Sequence, residues 1–356
     1  MRAAFPFVEI SGSPLARGRA YGEAMRVRVA MSADLYRKRL ASLGLGDPAA
    51  LIHRFIPEIE KFGAHYLEEM KGLAEGARLP LDDIVLINCR TEIVAMARLH
   101  EPKPDGCTGL VVMPERSATG ALIHAQNWDW LAECADTAIV LAIHRDDGPD
   151  ILTFTEAGGL ARSGFNANGI AISANYLESD RDYKQSGIPL PLIRRKVLEQ
   201  QHLALAMRVI ATTSKACSNN MIVSWTQGFA VDFECAPDEV FPLYPENGLL
   251  VHANHWVSPI ALSKLKEAGL HDVPESLYRD WRVKKLLPEG PIGIDDVKRA
   301  LADDFGTPFA VCRPPFDPDS GSLSATVATI IMEPARRQLQ IAPMPAEGAH
   351  YTRYAL

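Results

Sequence analysis

The sequence predicts an α+β fold in which antiparallel sheets are covered by helices. Three features lead to it. Helical spacing of apolar residues fills the chain from Pro14 to Leu99, short runs of branched and aromatic residues dominate from Gly109 onward, and the two textures meet at a proline-rich segment, HEPKPDGC, from His100 to Cys107. A block of helices followed by strands, with helices folded back among them, suits antiparallel sheets better than the alternating order of a parallel sheet.

The helical part divides at its breakers. Tyr21, Met25 and Val29, then Leu35, Tyr36, Leu40 and Leu43, recur at three- and four-residue intervals, and Gly44, Gly46 and Pro48 end that stretch. A second stretch runs from Ala49 to Ala77 on Ile52, Phe55, Ile59, Leu67, Met70 and Leu73. A third covers Leu81 to Arg98, with Asp82 and Asp83 in its first turn, where carboxylates meet the positive end of the helix dipole. Pro102 and Pro104 forbid helix and disfavour a central strand, so residues 100–107 are expected as an exposed loop. After it GLVVMPE, ALIHAQNWDW, TAIVLAIHR, DILTFTEAG, GIAISANYL, NMIVSW, GFAVDFECA, GLLVHANH and ATVATIIMEP read as strands punctuated by Gly, Pro, Asp or Asn. Helices are expected around Leu190 to Thr212 and Ser276 to Leu287, and a shorter one around Ile294 to Asp303.

A chain of 356 residues can bury a large core in one or two domains. Its 37 basic and 44 acidic side chains leave a net charge of −7, which argues against the basic face of a nucleic-acid binder. No apolar run approaches the ~20 residues that cross a bilayer, and Pro6, Glu9 and Pro14 interrupt the start where a secretory core would be continuous. A cytoplasmic location, with no nucleic-acid or membrane partner, is the expectation. Cys89, Cys107, Cys134, Cys217, Cys235 and Cys312 are scattered without a C-x-x-C pair and read as reduced thiols.

Several catalytic signatures are missing. There is no G-x-S-x-G elbow, no G-x-G-x-x-G, no P-loop and no H-E-x-x-H. His252 and His255 in HANH remain as metal candidates, and a metal-dependent hydrolase built on them is one alternative function. Their spacing of three puts two rings on one face of a helix but on opposite faces of a strand. Because LLVHANH reads as a strand end, hydrogen-bonded histidines are the better reading, and no metal or organic cofactor is expected.

Cys107 is more informative. It follows Gly106 and opens the first strand, although a lone cysteine is more often an inert small hydrophobe. If the Gly106–Cys107 bond were cut, Cys107 would carry a thiol and a free α-amine. An amine with a pKa of ~8 can serve as the base for its own thiol. Gly106 suits such a cut because the absence of a Cβ lets the backbone twist for attack by the sulfur on its carbonyl.

The stretch DGCTGLVVMP followed by GALIHAQNWDW, from Asp105 to Trp130, resembles the autoproteolytic acyl-coenzyme A:isopenicillin N acyltransferase family of the N-terminal nucleophile (Ntn) hydrolases. The likeness runs along the chain through RGRAYGEA (17–24), EEMKGLAEGA (68–77), NCRTE (88–92), FTEAG (154–158), GFNANGIA (164–171), HANH (252–255) and the closing strand with its EPARR tail (325–337). Each string is weak alone, and their order makes the set specific.

The resemblance implies an αββα sandwich, two antiparallel sheets between helical layers, preceded by a helical segment. It implies cleavage into an α chain of residues 1–106 and a β chain of residues 107–356 that together form one domain. Cys107 matches the nucleophile, Asp129 the aspartate of Q-N-W-D, and Asn254 the asparagine expected to point its amide N–H at the oxyanion. Ser218 falls where an active-site serine is expected, and Trp128 and Ser322 fall on the substrate-binding side. A bland reading accompanies each: Asp129 at a strand end, Asn254 in a turn, Ser218 at a strand edge. Where the penicillin-forming enzymes carry Ser-Arg, Ser322 and Leu323 stand here, and leucine cannot fix a carboxylate. A different amide or thioester is therefore expected. Arg313 and Arg162 are weighed as replacement cations, with a surface role the better reading for each.

The implied function is hydrolysis of a small-molecule amide, or of an acyl-coenzyme A type thioester, through a Cys107 acyl-enzyme, with water or an amine as acceptor. The implied partners are the two chains of one precursor, and a homo-oligomer is left open. A catalytically inactive binding protein with the same fold is the other alternative.

Overall fold

The computed structural model describes residues 2–97, 106–317 and 322–356. Strand β1 (Phe7–Ile10) precedes helices α1 (Pro14–Ala24), α2 (Arg26–Ser42), α3 (Ala49–Phe62), α4 (Ala64–Ala77), α5 (Leu81–Asn88) and α6 (Arg90–Ala97). Strands β2 (Gly106–Val112) and β3 (Ile123–Leu131) follow, then the one-turn α7 (Cys134–Thr137), β4 (Ala138–Ile143), β5 (Ile151–Glu156), β6 (Ser163–Asn166) and β7 (Ile170–Tyr176). Helices α8 (Leu190–Leu198) and α9 (Leu203–Thr212) lead into β8 (Asn219–Trp225), β9 (Phe229–Cys235), β10 (Val240–Leu243) and β11 (Leu249–His252). The chain closes with α10 (Pro259–Leu262), α11 (Ser276–Leu286), α12 (Ile294–Leu301), β12 (Ser324–Glu333), β13 (Gln338–Pro343) and β14 (Thr352–Ala355).

Among the described residues these strands form two sheets, one in the order β1-β4-β5-β6-β7-β8-β9-β10 and the other β11-β2-β3-β12-β13-β14. The sheets pack face to face through β2, β3 and β7. The N-terminal helices with α8 and α9 share the core of the first sheet, while α11 and α12 cover the second through Val283, Leu287, Val297 and Leu301 against Leu110, Val112 and Ile331. This is the four-layer αββα arrangement.

The expected strands are present, and the long insertion at 190–212 is two helices rather than one. One expectation needs correction: β1 pairs parallel with β4, so the first sheet is mixed. Strands β1, β6, β10 and β14 are four residues long, too short for their alternation to stand out. Of the expected exposed loop, residues 100–105 lie outside the described residues, and Gly106 and Cys107 are buried strand residues.

Two side chains of β3 bridge the sheets. His124 on β3 meets Ser173 Oγ at 2.7 Å and Ser224 Oγ at 2.9 Å, and burial pushes its pKa down to about 3, so the ring bridges the sheets uncharged. Gln126 donates to the Ala174 carbonyl at 2.7 Å and accepts from Ser163 Oγ at 2.7 Å.

The helical layer is held by a close crossing and a buried ion triad. Gly18 and Gly22 of α1 face Gly72 and Gly76 of α4; a Cβ on Gly18 would lie 2.0 Å from the Glu69 carbonyl oxygen, and one on Gly72 would lie 2.1 Å from that of Leu15. Backbone contact at this range brings Arg17 Nε to 2.7 Å from Glu69 Oε2. Arg195 of α8 completes the triad, donating to both Glu69 oxygens at 3.0 Å. Gly72→Ala should therefore force the helices apart and cost at least about 1–3 kcal/mol. Chemical denaturation of that variant should show a lowered midpoint, whereas Gly46→Ala, which adds a methyl in open space, should leave it within about 0.5 kcal/mol of the parent.

Candidate active site

Strand β2 begins at Gly106, and its alternation gives the site two faces. Cys107, Gly109 and Val111 point between the sheets, where Val111 packs with Ile222 and Ala230. Leu110 and Val112 point outward to α11 and α12. In the register with β3, Cys107 lies opposite Trp128 and Gly106 opposite Asp129. Trp128 therefore shares the inner face with the thiol, and Asp129 lies beneath the peptide on the outer face.

Both backbone groups of Cys107 are held by side chains. Its N–H donates to Asn254 Oδ1 at 2.7 Å, and its carbonyl accepts from Arg279 Nη1 at 2.7 Å. Arg279 also donates to Thr108 Oγ1 at 3.0 Å and to Asn254 Oδ1 at 2.8 Å. Asn254 spends its Nδ2 on the Tyr176 carbonyl at 2.8 Å. The oxygen of its amide thus faces Cys107, whereas the sequence suggests that the N–H would do so. An amide N–H and a guanidinium are both donors, so they require an acceptor there. The Cys107 side chain, 1% exposed, has Arg162 Nη2 at 3.8 Å from its sulfur, and that guanidinium carbon sits 4.2 Å from the centroid of Trp128.

The outer face carries balanced charge. Arg313, 2% exposed, lies 3.3 Å from Asp129 Oδ2 and 2.6 Å from Glu275 Oε1, and Thr326 Oγ1 donates to Asp129 Oδ1 at 2.7 Å. Burial raises the Asp129 pKa, opposed by Arg313 and Arg279; burial and Arg313 bring Arg279 down to about 10, opposed by Asp129 and Glu275. Two cations face two carboxylates. A Cβ on Gly106 would lie 2.7 Å from Arg313 Nη2, so a side chain there would displace this guanidinium. The surface role expected for Arg313 and Arg162 is corrected: one is buried and the other packs half-buried over Trp128.

The structure gathers Cys107, Asn254, Trp128 and, beneath the strand, Asp129. It places Ser218 in a separate cluster, hydrogen-bonded to Asp182 and to Ser179 Oγ at 2.9 Å. Ser322 stands at the head of β12, beside the half-exposed Leu323. Arg279 went unnoticed in the sequence because α11 is inverted: Trp281 and Leu277 are exposed, while Ser276, Arg279, Asp280 and Val283 are buried. The spacing of those four, at i, i+3, i+4 and i+7, is the signal that was available.

His252 and His255 hold the loop that carries Asn254. His252 Nε2 lies 2.8 Å from Glu234 Oε1, and Nδ1 lies 3.0 Å from the Ala253 carbonyl. Burial alone would lower its pKa, yet the carboxylates of Asp232 and Glu234 prevail and raise it to about 9. Ser276 Oγ accepts the Asn254 N–H at 2.7 Å and lies 2.8 Å from His255 Nδ1, whose pKa burial and the His252 charge push down to about 4. One ring is a cation and the other neutral, and among the described residues no three His, Cys, Asp or Glu side chains converge as metal ligands. No described helix is long and apolar enough to cross a membrane.

The sequence pattern of the acyl-coenzyme A:6-aminopenicillanic acid acyl-transferase family matches residues 116–343, well over half of the chain. The chain belongs to this family. It is 28% identical over 315 residues to the 40 kDa form of acyl-coenzyme A:6-aminopenicillanic-acid-acyltransferase from Emericella nidulans, covering 86% of this chain and 84% of that one. Among solved structures it is similar to a mutant conjugated bile acid hydrolase from Clostridium perfringens (TM-score 0.48, 12% identity, 70% of this chain and 92% of that one). It is also similar to penicillin V acylase from Agrobacterium tumefaciens (TM-score 0.46, 14% identity, 70% and 86%). Membership places the protein among acyl-transferring enzymes.

The raised His252 pKa has a definite consequence for stability. A group with a folded pKa near 9 and an unfolded value near 6.5 contributes fully below pH 6.5, and its contribution falls as pH rises through 9. The thermal midpoint should fall between pH 6.5 and 9, by the equivalent of up to about 3 kcal/mol. His252→Gln should be less stable at pH 6.5 and lose this slope, as differential scanning fluorimetry across the range would show.

Proposed function

We propose that the chain is the precursor of a cysteine Ntn amidohydrolase or acyltransferase that cuts itself before Cys107. The observation that carries this reading is the clamp on Cys107, whose nitrogen is held by Asn254 and whose carbonyl is held by Arg279 at the first residues of a buried strand. The sulfur attacks the Gly106 carbonyl carbon, the C–N bond breaks, and the nitrogen takes a proton to become an amine. Water then hydrolyses the thioester, leaving a Gly106 carboxylate and a free thiol. The Arg313 guanidinium against Gly106 is the nearby cation for the charge that develops during attack.

In the mature enzyme the amine of Cys107, kept in place by Asn254 Oδ1, takes the proton of its own thiol. The thiolate attacks the substrate carbonyl, the amine returns the proton to the leaving group, and water or an amine accepts the acyl group. Asp129 steadies the site through Arg313. Ordered packing of Trp128 and Arg162 over the sulfur supports a dry pocket for a small-molecule amide or thioester. No metal is needed for this sequence of steps.

Ion pairs between the two segments supply a reason for them to stay together after a cut: Arg17 and Glu69 with Arg195, and Arg90 with Glu156 at 2.6 Å. Intact mass spectrometry tests the proposal. Incubated protein should pass from 39.0 kDa to pieces of roughly 12 and 27 kDa, the larger beginning Cys-Thr-Gly-Leu. Cys107→Ala should remain whole and lose at least about a thousandfold in amidase activity. A wild-type chain that stays whole while active, or a Cys107→Ala protein that is equally active, would overturn it.

A further inference from the structure

Strands β10 and β11 are the end strands of the two sheets, and a cavity of about 490 Å³ between them is lined by residues of both. It shares no lining residue with the cleft that reaches Cys107. In the register of β11 with β2, His252 lies opposite Gly109 and Leu249 opposite Val112, so the cavity extends away from the thiol. Its inner end is formed by the buried Asp232 and His252. Leu243, Leu249, Val257 and Leu287 give it apolar walls, and the exposed Tyr244 stands at the mouth.

Charge at the inner end does not balance. Two carboxylates share the one cation His252, whose Nε2 lies 2.8 Å from Glu234 Oε1 and 3.9 Å from Asp232 Oδ2. Glu234 is fully supplied, since its oxygens also accept the Val257 N–H at 2.6 Å and the Ser258 N–H at 3.0 Å. Asp232 is not. Its Oδ2 accepts from Asn220 Nδ2 at 2.8 Å, and its Oδ1 has no hydrogen-bond partner among the described residues. Two further cations line the cavity, and both are engaged elsewhere. Lys284 lies 3.1 Å from Asp280 Oδ2, and Arg116 donates to the carbonyls of Asn247 and Pro288 at 2.9 Å. At the rim Glu246 and Glu289 offset these two. Burial raises the Asp232 pKa to about 6 against the pull of His252, so it is a carboxylate at neutral pH. A buried carboxylate oxygen without a donor is unfavourable unless a ligand supplies one.

We propose that this cavity is a second binding site, separate from Cys107, for an organic ammonium ion whose N–H groups meet Asp232 and whose apolar body lies on Leu243, Val257 and Leu287. The groups present select the ligand class. An ammonium brings several donors to the unsupplied oxygen together with the one positive charge the inner end lacks. A bare metal ion is a poorer match, because among the described residues no three His, Cys, Asp or Glu side chains converge to ligate it. Apolar walls around a single buried acid suit a hydrocarbon body carrying one charged end. His252 keeps Glu234, its nearer carboxylate, so the incoming cation has no hydrogen bond to displace. The inference is independent of the chemistry assigned to Cys107.

Two probes of one shape, differing in charge, test this by isothermal titration of the full chain at neutral pH: 2-phenylethylammonium chloride and 2-phenylethanol. The ammonium ion should bind about tenfold more tightly than the alcohol, or better. Asp232→Asn, which keeps an acceptor for Asn220, should bring its affinity down to that of the alcohol. Val257→Lys, at a position 41% exposed, sets a competing ammonium on the wall and gives a second reading should Asp232→Asn not fold. It should weaken the ammonium probe by about tenfold through like-charge repulsion and lost space. Cys107→Ala should leave the affinity unchanged, which separates this site from amine binding at the thiol. No binding of the ammonium ion, equal affinities of the two probes, or an ammonium affinity unmoved by Asp232→Asn or by Val257→Lys would overturn the proposal. So would binding that Cys107→Ala abolishes, or potassium chloride that competes as well as the organic ion at matched concentration, since the cavity would then take a small inorganic cation.

Discussion

The carboxylate of Glu69 is the point on which the rest of the molecule depends. It is fully buried and shared by Arg17 and Arg195, so α1, α4 and α8 meet at one charge. Such a group is strongly destabilising if it loses its partners, which makes the triad a test of register as much as a source of stability. The four glycines of α1 and α4 allow the helices to approach closely enough for Arg17 to reach it. Because Arg195 is thereby fixed, its neighbour Arg194 is fixed too, and the geometry beside Cys107 follows from a contact in the helical layer.

The two faces of β2 carry different electrostatics. Beneath the strand, Arg279 and Arg313 face Asp129 and Glu275, a balanced set that holds the backbone of Gly106 and Cys107 rigidly in a buried place. Between the sheets, the thiol shares a cleft with the guanidinium groups of Arg162 and Arg194. Alternation along one strand thus separates the groups that hold the backbone of Cys107 from those that surround its thiol. The histidines of HANH belong to the holding side, since the protonated one fastens the loop through Glu234 and the neutral one shares Ser276 with the Asn254 backbone.

Much of this was legible in the sequence, for physical reasons that differ from residue to residue. Strand texture after residue 106 is strong because both sheets are buried and their runs are rich in branched apolar residues and threonine. The string RGRAYGEA with EEMKGLAEGA contains the glycine spacing of the α1–α4 crossing, so a resemblance of letters corresponds to a contact of backbones. Cys107, Trp128 and Asn254 meet because β3 and β11 flank β2 in the sheet. Arg279 and Arg194 were not legible, and Arg313 was weighed as a cation but read as a surface one, since a buried arginine looks like a surface one until its partners, which lie far off in sequence, are in place. The orientation of the Asn254 amide is likewise decided by Arg279 and by the Cys107 N–H, neither of which a local motif contains.

The parallel pairing of β1 with β4 makes the first residues of the chain an edge strand of a sheet otherwise built from residues beyond 137. A backbone opened at 106 would leave two polypeptides sharing one sheet and one core, with nothing covalent between them. Recovery from denaturation would then be a second-order event, dependent on dilution, while the uncut chain would refold at a rate independent of concentration. Persistence of such an assembly would be governed by how slowly it comes apart rather than by an equilibrium between folded and unfolded forms.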